Sequence, residues 1–233
     1  MILEMSKSRS PHAHGPRIGP ELRDRVLDAA LEVIAERGLA ATRIADISAR
    51  AGMSAGHVMY YFRSKDRVLV ETLRHIEDRM HEQARTELAT IDPGPDRLRR
   101  LLELNLPDGL ADPGWTLWLE AWTLAPHDEV VRELVAELEG AWVGLLADVV
   151  RAGVEAGTLV CDHVDAAVAR LYATINGLAV QVVTGVGVLT AHRALEICTE
   201  VAASELGFSP HASSRQGSLS ARSATGPTPG GAR

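Results

Sequence analysis

An all-α chain is what this sequence predicts, on three observations. Ala, Leu, Glu and Arg fill the middle of the 233 residues, while aromatics make up only 4% of them. Helix formers therefore dominate the vocabulary of the interior. Apolar residues step at i, i+3, i+4 and i+7 through successive segments, and no segment sustains the two-residue alternation of a strand. The expected architecture is three small helices followed by a body of roughly six.

The elements can be placed in order. The first helix spans 20–37, with Pro20 at its start, Gly38 just past its end, and Leu22, Val26, Ala29, Ala30 and Ile34 at helical spacing. Two short helices follow at 43–51 and 55–62, then a long one at 65–90 with Ser64 as its N-cap. Asp92-Pro93-Gly94-Pro95 forces a break. Helices at 96–106 and 114–125 are separated by a loop from Pro107 to Pro113. The seventh, 128–156, carries Val131, Leu134, Leu138, Trp142, Leu145 and Val149 on one stripe and is closed by Gly157. An eighth helix, 165–186, is capped by Asp165, and a ninth spans 190–206. Residues 1–18 have no period, and fourteen of the twenty-seven residues at 207–233 are Gly, Ser or Pro, so both ends are expected to be disordered. The domain reading is an arm at 1–18, a small domain at 19–65, a helical body at 66–206 and a tail at 207–233.

Charge is unevenly spread. The net charge is −7, yet residues 1–65 hold ten basic against seven acidic side chains and the remainder fourteen against twenty-four. A mildly basic head on an acidic body suits a head that meets a polyanion. Cys161 and Cys198 are the whole cysteine complement, which excludes a disulfide scaffold and a four-cysteine zinc site. The start lacks a signal-peptide pattern, so a cytoplasmic location is expected. The uncharged stretch 171–191 contains Thr174, Asn176, Gln181, Thr184 and Thr190, and reads as a buried or subunit-contacting helix rather than a membrane span.

The informative segment is 42–62. Ile44, Ile47, Ser48 and Ala51 form a close-packing face, Gly52 permits a left-handed turn, and Ser54 can cap the next helix, from which Val58 and Phe62 point back. Two short helices crossing about a glycine turn form either a helix-turn-helix or an ordinary αα corner. In the first case the second helix enters the major groove by its N-terminal residues. Those are Ala55, Gly56 and His57: small residues admit the backbone, free N–H groups face phosphate, and His57 reaches base edges. The expected DNA-contacting set is Thr42, Arg43, Ser54, Ala55, Gly56, His57, Tyr60, Tyr61 and Lys65.

Several strings decide between those two readings. Leu27-Asp28-Ala29-Ala30, Glu36-Arg37-Gly38, Ala51-Gly52-Met53-Ser54-x-Gly56, Tyr60-Tyr61-Phe62 and Ser64-Lys65-Asp66 resemble the DNA-binding domain of the TetR family of bacterial regulators. One position departs: Met59 stands where the family usually carries Tyr, which shifts the phosphate contact there toward Tyr61 and Lys65. Leu101-Leu102-Glu103-Leu104, Trp115-x-x-Trp118-Leu119, Ala121-Trp122 and Asn176-Gly177-Leu178-Ala179-x-Gln181 are similar to the BetI-type C-terminal domain of that family. The resemblance implies a homodimer joined through the last two helices and a small-molecule pocket in each body.

Trp115, Trp118 and Trp122 form a ridge at i, i+3 and i+7, which reads either as core or as a pocket wall. Tyr172 and Asn176 on the eighth helix, with Gln181, either pair with backbone or across the dimer, or orient a ligand. Gly177 is read as allowing close helix contact. The expected ligand-binding set is Trp115, Trp118, Trp122, Tyr172 and Asn176, suited to a mostly apolar effector, with aromatic faces that also attract cations. Cys161, Asp162 and His163 have poor metal-ligand spacing, so no metal is expected, and no cofactor. No phosphate loop, nucleophile elbow or zinc-protease motif supports an enzyme. The function expected is a ligand-responsive, homodimeric repressor on a palindromic operator. The alternative is a DNA-binding protein of the same fold without a small-molecule ligand, whose body docks a protein partner.

Overall fold

The computed structural model describes residues 19–210, and every regular element among them is a helix. The expected disordered arm at 1–18 lies outside the described residues, as does the tail beyond residue 210. The chain divides into two compact units, one ending at His75 and one beginning at Ile76.

The first unit holds α1 (Pro20–Ala41), α2 (Ile44–Arg50), α3 (Ala55–Phe62) and the start of α4 (Lys65–Leu88). α1 breaks at Gly38, whose φ of 73° and ψ of 158° are not helical, and a further turn runs to Ala41. Val26, Leu27, Ala30 and Val33 of α1 pack with Ile47, Ala51, Val58, Phe62 and Val68 in one core. Val68 explains why this unit extends past residue 65, where sequence alone divides the chain: the first turns of α4 pack into the core of the helices before it. Arg50 adds hydrogen bonds at 2.8 Å to Glu32 and Glu36, tying α2 to α1. These pairs are exposed and fix orientation more than they stabilise.

The second unit takes the rest of α4 and adds α5 (Pro95–Asn105), α6 (Pro113–Leu124), α7 (Glu129–Glu155), α8 (Val164–Thr184) and α9 (Ala191–Leu206). Its main core joins Leu98, Leu101 and Leu102 of α5 to Trp142, Leu146 and Val150 of α7. Leu171, Ile175, Ala179 and Val182 of α8 complete it with Ala194, Cys198, Ala202 and Leu206 of α9. In the last turn of α7 Gly153 makes room for Leu159, whose Cδ1 would lie 2.4 Å from a Cβ there. Cys198 is buried and its thiol is pushed up to about 12 by desolvation, so it behaves as an apolar side chain.

Two expectations about α8 need correction. Asp165 is not its cap: the helix starts after His163, and Asp165 lies in the first turn, where Arg151 holds its carboxylate at 2.9 Å. The uncharged stretch 171–191 is not one helix, because Gly185 takes φ 65° and ends α8 at Thr184. α8 itself is long and apolar enough to cross a membrane by composition. One face, Leu171, Ile175, Ala179 and Val182, is nevertheless committed to the core.

Candidate DNA-binding and effector sites

In the first unit the turn between α2 and α3 is built from backbone geometry. Gly52 takes φ 68°, a conformation that costs an L side chain strain. Met53 N–H donates to the Ser48 carbonyl at 2.8 Å, and the Arg25 guanidinium donates to the Ala51 carbonyl at 2.8 Å, closing the end of α2. Ser54 then caps α3 by accepting the His57 N–H at 3.2 Å. With Val58 and Phe62 buried, the opposite face of α3 is presented outward: Ser54, Ala55, Gly56, His57, Met59 and Tyr60 are all exposed. His57 stacks on Tyr61 with ring centroids 5.8 Å apart, and Tyr60 meets the Tyr61 edge at 5.2 Å.

The expected contact set changes in two places. Thr42 is only 2% exposed and donates its hydroxyl to the Gly38 carbonyl at 2.8 Å, so it stabilises the kink in α1 and offers no surface to DNA. Tyr61 is partly buried against the small core, whereas Tyr60 is 55% exposed. Of the two phenols, Tyr60 is the freer to reach outward. Arg43 is exposed at the N-cap of α2, and Lys65 is half-buried in the first turn of α4.

The second unit turns its polarity inward. Asp112 caps α6 by accepting the Trp115 N–H at 3.0 Å, which fixes the rotation of the helix that carries three tryptophans. Trp118 is buried, and Trp115 and Trp122 are half-buried; Trp122 lies 6.1 Å from Trp115 and 5.7 Å from Trp118 by ring centroid. Their N–H groups find carboxylates. Trp118 Nε1 donates to Glu77 Oε1 at 2.6 Å, Trp142 Nε1 to Glu77 Oε2 at 2.6 Å, and Trp122 Nε1 to Glu139 Oε1 at 2.9 Å. Glu77, on α4, is 4% exposed and is the one charged residue buried among the described residues. Burial pushes its carboxyl above the ordinary carboxylate range, the two indole donors oppose that rise, and neighbouring Asp78 adds to it.

Tyr172 of α8 completes the cluster. It is hydrogen-bonded to Asn176, and its phenol is raised by burial and by the nearby charges of Glu139 and Glu77. Four helices therefore bring tryptophan and tyrosine rings against two carboxylates, and among the described residues Glu77 has no cationic partner. A cation seated there would gain aromatic neighbours and a poorly hydrated counter-charge together. The sequence reading found Trp115, Trp118, Trp122, Tyr172 and Asn176, which the structure brings together. It missed Glu77 and Glu139, and it placed Trp142 only in a core stripe. Gln181 belongs elsewhere: it is exposed and donates to its own helix at the Gly177 carbonyl. Gly177 faces open space, with nothing within 4 Å of a built Cβ.

A separate groove of about 460 Å³ runs beside Gly140, Ala141 and Gly144 of α7, with Arg85 and Arg97 among its lining residues and no tryptophan. His81 also lines it, donating from Nε2 to the Ala141 carbonyl at 3.2 Å and meeting the Trp142 ring edge-on.

Residues 26–72 match the family model described as bacterial regulatory proteins, tetR family, and residues 94–207 match the BetI-type transcriptional repressor C-terminal model. The HTH-type transcriptional regulator BetI of Burkholderia thailandensis is 35% identical over 114 residues, 48% of this chain and 58% of that protein. Its counterpart in Burkholderia cenocepacia is 32% identical over 123 residues, 51% of this chain and 63% of that one. The matches thus span less than two thirds of the curated relatives. Among solved structures, a protein from Saccharomonospora viridis crystallised in complex with choline is 32% identical, with a TM-score of 0.74 over 81% of this chain and 98% of that chain. A TetR transcription regulator from Haloarcula marismortui, 23% identical, shares the fold at a TM-score of 0.71 over 80% of this chain and 98% of that one.

Proposed function

The chain belongs to the TetR family of transcriptional regulators, with a C-terminal domain of the BetI type, and from that premise we propose that it is a cytoplasmic homodimeric repressor released from a palindromic operator by a small organic cation. The observation that carries the effector class is Glu77: a buried carboxylate oriented by two indole N–H donors, surrounded by aromatic rings and lacking a cation among the described residues. Choline in the Saccharomonospora viridis protein supports a quaternary ammonium effector for this one. Quaternary ammonium groups are recognised elsewhere by aromatic cages of this composition. Tryptophans that formed a docking patch for a protein partner would be largely exposed, and these are buried or half-buried.

The exposed end of α3 is the part proposed to read DNA, with His57 toward base edges and Arg43, Tyr60 and Lys65 toward phosphates. Pairing of two chains is proposed through α8 and α9, supported by the small exposed residues Ala169, Ala173 and Gly177 along α8. Lys65 and Glu77 lie on one helix, α4, so a cation at Glu77 acts on an element whose first turns belong to the core of the DNA-binding unit. Release requires that the cation bind the DNA-free geometry better than the bound one, since equal affinity shifts nothing.

The test is a duplex recovered by selection from random DNA, followed by footprinting with and without choline chloride. Two protected half-sites about 34–36 Å apart, lost on adding choline or tetramethylammonium, are the expected result. Protection of one unsymmetrical half-site overturns the dimer, and protection insensitive to every quaternary ammonium salt overturns the effector class.

A further inference from the structure

The groove beside α7 is kept open by its small residues. Glycine in a helix interior costs stability relative to alanine, and its usual return is the close approach of a neighbouring helix. Gly140 and Gly144 bring no such return, because a Cβ built at either meets nothing within 4 Å. The lining residues recur along one face of α7 from Gly140 to Ala152, a length of about 18 Å at the helical rise. A volume of about 460 Å³ over that length has a mean section of about 26 Å², which suits one extended chain better than a fused ring system.

The two ends of the groove differ in chemistry. His81 donates to the Ala141 carbonyl, which places this turn of α4 beside the glycines. Pro93, just past α4, accepts the Thr158 hydroxyl, just past α7, at 3.0 Å. α4 and α7 therefore run in the same direction, and Leu88, Ala89 and Arg97 fall toward the Val149 and Ala152 end. Arg97 is half-buried, and its Nε donates to the Ile91 carbonyl at 2.6 Å, which fixes the guanidinium. Among the described residues neither Arg85 nor Arg97 meets a carboxylate, whereas Arg99, Arg100, Arg151, Arg170 and Arg193 each do. The acidic side chain of the lining, Asp148, is engaged by Arg151 at 3.4 Å.

We propose that this groove is a second small-molecule site, separate from the Glu77 cluster, and that it takes an organic anion carrying one extended apolar chain. The carboxylate lies against Arg85 and Arg97, whose planar guanidinium groups match its two oxygens. The chain runs past Leu145 into the space left by Gly144 and Gly140. The volume falls in the range of about 300–1,000 Å³ usual for such sites. The two sites sort ligands by charge, since one presents carboxylates among tryptophans and the other arginines and no tryptophan. His81 lines the groove and meets the Trp142 ring, so occupancy can be followed by indole emission.

The full-length chain would be titrated by calorimetry with sodium decanoate, with decanol and with sodium hexanoate, below self-association, while tryptophan emission is followed. One decanoate per chain is expected, held about tenfold or more tightly than decanol, which lacks the charge, and than hexanoate, which lacks the chain length. Arg85→Gln should weaken decanoate about fivefold or more, and adding Arg97→Gln should bring it to the level of decanol. Gly144→Leu puts a good helix former into the path of the chain. It should weaken decanoate about tenfold or more without lowering the urea midpoint. Should Gly144→Leu fold poorly, Gly140→Leu provides the same reading. Glu77→Gln should bind decanoate like the wild type, whatever its response to choline. Equal affinity for decanoate and decanol overturns the anion. Unchanged affinity in the arginine and leucine variants overturns the groove as the place. Loss of decanoate binding in Glu77→Gln moves the ligand to the aromatic cluster and overturns the second site. Uptake of decanoate without saturation, or none by about 1 mM, overturns the proposal outright.

Discussion

The two units place their functional groups on opposite sides of their cores. In the N-terminal unit Val58 and Phe62 are sealed inside, and the same short helix presents Ala55, Gly56, His57 and Tyr60 outward. In the C-terminal unit the groups with chemical potential are inside: Glu77 is buried, and the indole N–H groups of Trp118 and Trp142 are turned toward it. A surface that reads DNA must be available to a large, flat polyanion, so its specificity sits on a rigid exterior. A site for a small cation gains by removing water, which strengthens both the ring quadrupole and the counter-charge. The first unit spends its core on shape alone. The second carries a charged group in its interior.

The largest separation of the two should come from Phe62→Ala. Loss of this fully buried ring costs about 3–5 kcal/mol, enough to disorder the N-terminal unit and abolish duplex binding. All four tryptophans of the chain lie in the body, so their fluorescence reports that unit alone. Its response to tetramethylammonium should survive in the variant; a lost response would show that the body cannot hold its site without the first unit.

Within the DNA-binding face, His57→Ala should relax preference at one or two operator positions by about 1–3 kcal/mol. Lys65→Ala should weaken every duplex alike and reduce the slope of affinity against salt. Competition binding across a library of operator variants distinguishes these patterns, and the reverse assignment would mean that α3 does not enter the groove. Gly52→Ala should cost about 1–2 kcal/mol for a side chain at positive φ, visible in urea unfolding as a lower midpoint.

The smallest effect concerns pH in the effector-free chain. The folded carboxyl of Glu77 lies above its unfolded value. Its contribution to stability is therefore fully present below the unfolded value and is lost as pH rises through the folded one. Melting temperature should thus fall with pH across that window more steeply in the wild type than in Glu77→Gln. Parallel profiles would show that Glu77 stays ionised without a cation.

How much of this was legible in the sequence follows from the same contrast. The helix-turn-helix is local: Gly52, Ser54, Val58 and Phe62 lie within eleven positions, and each has a conformational or packing reason that can be read in isolation. Even there Thr42 misled, because its hydroxyl turns back to the Gly38 carbonyl and its burial depends on a kink that spacing does not reveal. The cluster of aromatic rings and carboxylates is assembled from α4, α6, α7 and α8. The Trp115, Trp118 and Trp122 ridge shows itself as a period on one helix, and Tyr172 and Asn176 as polar residues in an apolar one. Glu77 sits in a stretch rich in Arg, Asp and Glu, where nothing marks it as the carboxylate that turns inward. Only the meeting of three helices, with Trp118 41 residues away and Trp142 65 residues away, singles it out.

The central claim is that an organic cation at Glu77 governs release of DNA, and one measurement addresses it most directly. A fluorescently labelled duplex recovered by selection is bound to the wild type and to Glu77→Gln, and choline chloride is titrated into each complex while anisotropy is followed at constant ionic strength. Equal duplex affinity for the two proteins without choline, and a release midpoint at least tenfold higher for Glu77→Gln, is the predicted result. Coincident release midpoints would contradict the account.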